Sequence, residues 1–368
     1  MRSIWIFFKS QNWLLIAPAL LLLIYGLVIS FSLASAQQAA DYSLFWKQAL
    51  VSGVGVIMLF VFSAIDYRYF RAWSGFIYAG SILLLISVLL FGETIRATRG
   101  WFVFFGITFQ VVEVAKICMV IVLSAYFVRM RSTLFYARDI LLSGLGVGIL
   151  VILTFLQPDV GSGLLLLGIF LGMLLLVRTR RVFIILIVGV LIASSVFGWF
   201  FVLKDFHKDR IMTFLDPSRD PLGVGYNLTQ STVAIGSGGL FGRGLTLGPQ
   251  SRLNFLPERQ NDFIFAVIGE ALGFAGVVLL FFLFGVLFFA IIRVARKSRD
   301  DFGVLLAGGV GISLILQMVV NIGTNIGFLP IAGLPLPFLS AGGSSLIMNL
   351  IGVGIVASID VRQRFGLA

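Results

Sequence analysis

Ten stretches of mostly apolar residues dominate this chain, each near the roughly 20 residues that carry an α-helix across a bilayer's hydrocarbon. They fall near 13–36, 46–65, 74–91, 107–127, 139–156, 161–177, 182–203, 264–292, 302–326 and 344–359. In lipid a spanning element must satisfy its own backbone polar groups, so runs of this length are helices. The expected fold class is therefore an all-α polytopic membrane protein with about ten transmembrane helices, forming a single membrane domain over 1–368. Composition agrees. Of the 368 residues 59% are hydrophobic and 12% charged, against roughly 25% charged in a soluble domain. Too little polar surface remains to wrap a core in water, which excludes a soluble globule. The first run ends in Ala34-Ser35-Ala36, imitating a cleavage site, but it is far longer than the roughly 7–15 apolar residues of a signal peptide and reads as a retained span. One cysteine, Cys118, cannot make an internal disulfide, and with a single histidine, His207, the chain lacks a Cys/His zinc site.

The net charge of +11 raises nucleic-acid binding as an option, and the placement of the basic residues removes it. With the N-terminus cytoplasmic, 16 of the 27 Lys and Arg fall in the inside segments as short clusters, among them Arg178-Thr179-Arg180-Arg181 and Arg293 to Arg299. Seven of the ten outside sit in one long loop, where the positive-inside rule counts least. The expectation is a multi-pass protein of the inner (cytoplasmic) membrane with both termini cytoplasmic.

That loop, 204–263, lies between the seventh and eighth spans on the extracytoplasmic side and is too long to be a plain connection. It carries six of the sixteen acids, including Glu258 and Asp262, with seven basic residues, Arg210 and Arg243 among them, in Gly- and Pro-containing runs that read as irregular. A solvated cap explains this as simply as function does. The Gly236–Gly244 run fits no phosphate-loop register. It can bring backbone close to a ligand or a membrane surface, or serve as a flexible turn. Within the fourth span, Glu113 and Lys116 share one helix face. Intramembrane charges mark a site or pathway, or form an ion pair that packs helices. Asp159 and Glu270 can line the same cavity or cap helices. Near the C-terminus, 327–338 is apolar but holds three prolines and cannot be one helix. It reads as a re-entrant or interfacial segment leading into Ser344 at the start of the last span, where a helix N-terminus can hold a lipid phosphate or simply be capped by serine.

Several separated motifs resemble the SEDS family (shape, elongation, division and sporulation), its RodA branch more than its FtsW branch. They are Asp216-Pro217, Asp220–Tyr226, Gln230, Ala234–Leu240, Phe255–Glu258, Asp262–Ala266, Gly269-Glu270, Leu334–Ser340 and Gly342–Ser345, with Arg99-Gly100-Trp101, Gln110, Glu113, Lys116 and Gln157-Pro158-Asp159. The resemblance covers nearly the whole chain. Two positions depart from it: Gln110-Val111-Val112-Glu113 stands for Gln-Pro-Ser-Glu, and Gln260-Asn261-Asp262 for His-Thr-Asp, each keeping the acid.

The resemblance implies a membrane glycosyltransferase that polymerises lipid II into glycan strands for cell-wall elongation and cell shape. Its partner would be a class B penicillin-binding protein supplying the transpeptidase. An acceptor hydroxyl would displace lipid pyrophosphate with inversion, which needs one base, for which Asp262 is the candidate. Candidate substrate contacts are Glu113, Lys116, Trp101, Arg99, Asp159, Arg210, Arg243, Glu258 and Ser344. Leaving-group charge is met either by basic side chains or by a divalent cation, Mg or Mn. A lipid-linked precursor flippase and a noncatalytic scaffold for the transpeptidase are the rival readings.

Overall fold

The computed structural model describes residues 11–36, 41–95, 98–104, 107–130, 137–177, 205–216, 219–220, 223–246, 248, 256 and 258–364, with Lys9, Val182, Ile185 and Gly189. In chain order its elements are α1 (Trp13–Ser35), α2 (Ser43–Ala64), the short α3 (Arg68–Ala72), α4 (Ser74–Phe91), β1 (Glu93–Ile95), β2 (Thr98–Phe104), β3 (Ile107–Gln110), α5 (Val111–Met130), α6 (Ala137–Leu156) and α7 (Val160–Leu176). They continue with α8 (Asp205–Leu215), α9 (Val224–Ser237), α10 (Ile264–Lys297), α11 (Asp301–Asn325) and α12 (Gly343–Arg364).

Among the described residues eight helices are long and apolar enough to cross a membrane, and the 17-residue α7 is a ninth, shorter apolar helix. The seventh expected span, 182–203, and the Arg178–Arg181 cluster lie outside the described residues but for Val182, Ile185 and Gly189. The bundle turns on α12. Buried positions make up 89% of its apolar window, against 17% for the peripheral α4. In lipid, helices gain no hydrophobic free energy by meeting, so close approach through small residues has to supply the packing. Gly55 of α2 lies under Leu350 and Leu346 of α12, and a Cβ on Gly354 would collide with the Leu59 carbonyl.

Two sequence expectations change. Residues 107–110, expected inside the fourth span, form β3, the third strand of an antiparallel sheet ordered β1-β2-β3. Trp101 stands opposite both Glu93 and Gln110 in its register. The Ile107-Thr108-Phe109 run is apolar enough to imitate the start of a helix, but it pairs sideways with β2. The loop 204–263 is also less irregular than its Gly and Pro content suggests, since α8 and α9 lie within it.

Side-chain ties show which helix ends share a face. At one end the Tyr67 hydroxyl donates to Asp300 Oδ1 at 2.6 Å and Arg362 reaches the Ala64 carbonyl at 2.8 Å. Asp300 in turn caps α11 by accepting from the Gly303 amide. Burial, ahead of the Asp300 hydrogen bond, pushes the Tyr67 phenol up to about 12. Arg68, Arg293, Arg296, Lys297, Arg299 and Arg362 lie at this end. The opposite end carries the sheet, Asp159, Asp262 and the start of α12.

Candidate active site

Asp262 closes a turn that opens at Glu258, whose carbonyl accepts the Asn261 and Asp262 amides at 3.0 and 3.1 Å. Glu258 has φ +55, and its carboxylate accepts from the Asn261 side chain at 2.9 Å. The Asp262 carbonyl receives two side-chain amides from α11, Asn321 at 3.0 Å and Asn325 at 2.8 Å. The three-proline segment folds over this turn: Ser340 donates to the Asn261 carbonyl at 2.6 Å and accepts the Leu336 amide at 2.8 Å, and Ala341 donates to the Gln260 carbonyl at 2.9 Å. A Cβ at Gly333 would stand 3.9 Å from Asp262 Oδ2, at a φ of +67 that a side chain rarely adopts, so glycine lets the segment pass beside the carboxylate. The irregular backbone expected there is thus held by protein groups.

Glu113 and Lys116 form the expected pair on α5. Lys116 Nζ lies 2.6 Å from Glu113 Oε2, with both side chains 1% exposed. Lys116 also donates to Gln317 Oε1 at 3.1 Å. The Gln317 amide nitrogen in turn donates to the Pro335 carbonyl and to Ser345 Oγ, both at 2.9 Å. Asn321, one turn along α11, donates to the neighbouring Leu334 carbonyl at 2.8 Å. One face of α11 therefore joins the ion pair to Asp262 through adjacent residues of the broken segment.

Asp159 is the N-cap of α7, accepting the Ser162 amide at 3.0 Å and its hydroxyl at 2.8 Å, and it also accepts from the Gln110 side chain at 2.9 Å. Desolvation outweighs these bonds and raises its carboxyl above the ordinary carboxylate range. Ser344 Oγ accepts the Gln110 amide at 3.0 Å, fastening the end of β3 to the start of α12. Trp101 lies half-buried on β2, and its indole N–H is buried without a hydrogen-bond partner.

The remaining candidates do not converge in the same way. Arg99 points its guanidinium back to the Leu90 and Gly92 carbonyls at 3.0 and 3.2 Å, closing the C-terminal end of α4. Arg243 is exposed, and its Nε donates to the Ser237 carbonyl at 3.0 Å. Arg210 is on α8, with a side chain outside the described residues.

The glycine-rich run makes its close approach to α10. At Gly273, with φ +63 and ψ −156, α10 is broken, which frees backbone groups on both sides. The Glu270 and Ala271 carbonyls accept the Arg243 and Gly244 amides at 2.9 Å each, and the Phe274 and Ala275 amides donate to the Gly239 and Leu240 carbonyls at 2.9 and 3.0 Å. A Cβ at Gly238, Gly242 or Gly273 would strike backbone. The buried Glu270 lies against Gly248, where a Cβ would meet its carboxylate.

A cavity of about 190 Å³ opens beside the start of α12, lined by Lys47, Gln48, Thr108, Ala341 and Gly343. Gln48 donates to the Leu339 carbonyl at 2.9 Å, and its own Oε1, 4% exposed as a residue, has no hydrogen-bond partner. Sequence reasoning counted Lys47 for orientation only, and passed over Gln48, Gln317, Asn321 and Asn325. The last three recur every fourth residue on α11, a polar stripe in an apolar helix and a signal available in the sequence. Among the described residues no three His, Cys, Asp or Glu side chains gather that could hold a metal ion.

Residues 12–365 match the family model described as cell cycle protein, whose name joins FtsW, RodA and SpoVE. The peptidoglycan glycosyltransferase MrdB of Escherichia coli (strain K12) is 36% identical over 356 residues, 94% of this chain and 92% of that one. Stage V sporulation protein E of Bacillus subtilis (strain 168) is 34% identical over 365 residues, 97% and 98%. Among solved structures, a chain from work on coordination of polymerization and crosslinking by a peptidoglycan synthase complex superposes with a TM-score of 0.81 at 28% identity, covering 96% of this chain and 98% of that one. The rod shape determining protein RodA of Thermus thermophilus does so with a TM-score of 0.71 at 27% identity, covering 96% and 97%.

Proposed function

Because the chain belongs to the FtsW/RodA/SpoVE cell cycle protein family, we propose that it is a peptidoglycan glycosyltransferase that polymerises lipid II, with Asp262 as general base. It is a multi-pass membrane protein, and the proposed setting is the inner membrane with both termini cytoplasmic. In that orientation the basic end of the bundle faces the cytoplasm and the Asp262 end faces outward, where lipid-linked sugar is presented. A class B penicillin-binding protein is its partner, supplying the transpeptidase beside the emerging strand. The role in elongation and cell shape follows the similarity to MrdB and RodA.

The observation that carries this reading is the placement of Asp262. Its carboxylate stands beside the exposed Gly333 of the three-proline segment, and that segment is bonded through Gln317 to an intramembrane cation. The reaction needs a carboxylate within hydrogen-bonding reach of the acceptor sugar hydroxyl. As the oxygen attacks the anomeric carbon, its proton passes to Asp262 and the C–O bond to the pyrophosphate breaks with inversion. The leaving group departs already ionised, so the second carboxylate of a hydrolytic glycosidase has no counterpart. Its charge is met by fixed cations, Lys116 within the bundle and Lys47 in the cavity beside α12, with Arg210 and Arg243 on the loop. A divalent cation, Mg or Mn, would be held in the usual way by one or two carboxylates plus substrate oxygens, for which Asp262 and Asp159 are the candidates. Trp101 offers its half-buried ring to a sugar.

Purified protein incubated with lipid II, with and without its partner, tests the assignment. Glycan polymer is expected. Translocation of lipid II without polymer would favour the flippase, and polymer appearing only from the partner would make the chain a scaffold.

A further inference from the structure

Building on the reading of Asp262 as the base, we propose that Asn325 is a positioning residue that sets the Asp262 carboxylate by tying the residue ahead of α10 to that helix's first turn. The N-cap of α10 is Phe263, so Asp262 precedes the helix and the Ala266 amide is one of the first-turn donors that no helix carbonyl accepts. Here the Ala266 amide goes to Asn325 Oδ1 at 3.1 Å, while the Asp262 carbonyl takes Asn325 Nδ2 at 2.8 Å. A single side-chain amide thus joins the two. The helix ladder begins one residue later, with the Val267 amide on the Phe263 carbonyl at 3.2 Å.

That amide is itself pinned. Its Nδ2 also donates to the Asn321 carbonyl at 2.9 Å, and the backbone carbonyl of Asn325 accepts from Ser231 of α9 at 2.8 Å. Asn325 is 0% exposed, where an amide with an unmade bond is costly, and both ends of this one are satisfied. The amide therefore fixes the Asp262 backbone against α11, with its carboxylate beside the segment that passes at Gly333. Asn321 extends the same control to that segment by bridging the Asp262 and Leu334 carbonyls at 3.0 and 2.8 Å.

Asn325→Leu is the test. With the amide gone, the Asp262 carbonyl keeps its Asn321 bond but loses the tie to Asn325, so the carboxylate moves. The expected result is a fall of about 10²-fold in kcat for glycan synthesis from lipid II, the scale of a 1 Å misplacement. KM for lipid II and binding of the transpeptidase partner stay parental. In an Asp262→Asn background the same change lowers the residual rate, read over long incubation, no further. Asn325→Ala serves if the leucine variant does not accumulate. Parental kcat in the accumulating variants, a change confined to KM, or a full additional loss in the Asp262→Asn background overturns the inference. Parental turnover in Asp262→Asn itself removes the base reading, and this inference with it. A dead Asp262→Asn beside parental Asn325 variants removes this inference alone.

Discussion

Removing both members of the Glu113–Lys116 pair should destabilise the protein by less than the sum of removing each alone. The two charges lie 2.6 Å apart and are each 1% exposed. At an effective dielectric near 20 their attraction is about 6 kcal/mol, offset by several kcal/mol for desolvating each ion. The pair as a whole is therefore near balance, whereas a lone survivor keeps its desolvation cost and loses the attraction. Lys116→Met strands Glu113 and also leaves Gln317 Oε1 without its donor. Glu113→Gln strands Lys116, which keeps only the Gln317 contact. Each single variant should cost about 3–5 kcal/mol. The double variant should fall short of the sum by about 2 kcal/mol or more, near the upper end of couplings between contacting residues. Unfolding of the four purified proteins in mixed micelles titrated with SDS measures this directly, with polymer synthesis from lipid II read on the folded fractions. A double variant whose loss equals the sum of the singles would refute the reasoning, since it would show that the two charges do not compensate one another.

Cysteine accessibility tests the orientation: in a Cys118→Ser background, a cysteine at exposed Phe241 should label in intact cells, and one at exposed Arg299 only after the membrane is broken. Gly273→Ala should cost well over the roughly 1–2 kcal/mol of a left-handed side chain, because its Cβ strikes backbone of the glycine-rich run, while Gly53→Ala, which meets open space, should unfold like the parent. Asp159→Asn should gain stability relative to the parent as pH rises: desolvation raises the Asp159 carboxyl, so its charge costs the folded state above the raised value and costs nothing below the unfolded one. Comparing the unfolding midpoints of the two proteins at roughly pH 4 and pH 8 reads the difference.

The spans were legible because hydropathy over some 20 residues depends on lipid alone and needs no knowledge of neighbours. The Glu113–Lys116 pair was legible for a related reason, since residues three apart on a helix share a face. What stayed hidden depends on partners remote in sequence. The purpose of Gly238, Gly242 and Gly244 lies in the break at Gly273, which exposes the carbonyls they approach. Arg99 reads from the sequence as a substrate contact beside Trp101; β2 folds back on α4 and brings its guanidinium to the end of that helix. Ser344 looked like a cap, yet its oxygen serves the Gln110 amide, 234 residues away. The third strand was masked because Ile107–Gln110 runs straight into the apolar residues of α5. Asn321 and Asn325 were visible as one face of α11, but their importance comes from Asp262 lying against that face.

Turnover of lipid II by purified Asp262→Asn protein tests the central claim most directly. Asparagine keeps the size of the side chain and leaves the Asn321 and Asn325 bonds to the backbone carbonyl in place, but it cannot take the acceptor's proton. The account predicts a monodisperse protein that still binds its transpeptidase and makes glycan at a rate lower by about 10²–10⁴-fold, the usual worth of general-base assistance. Near-parental glycan synthesis by that variant would contradict it and move the search for the base to Glu258 or Asp159.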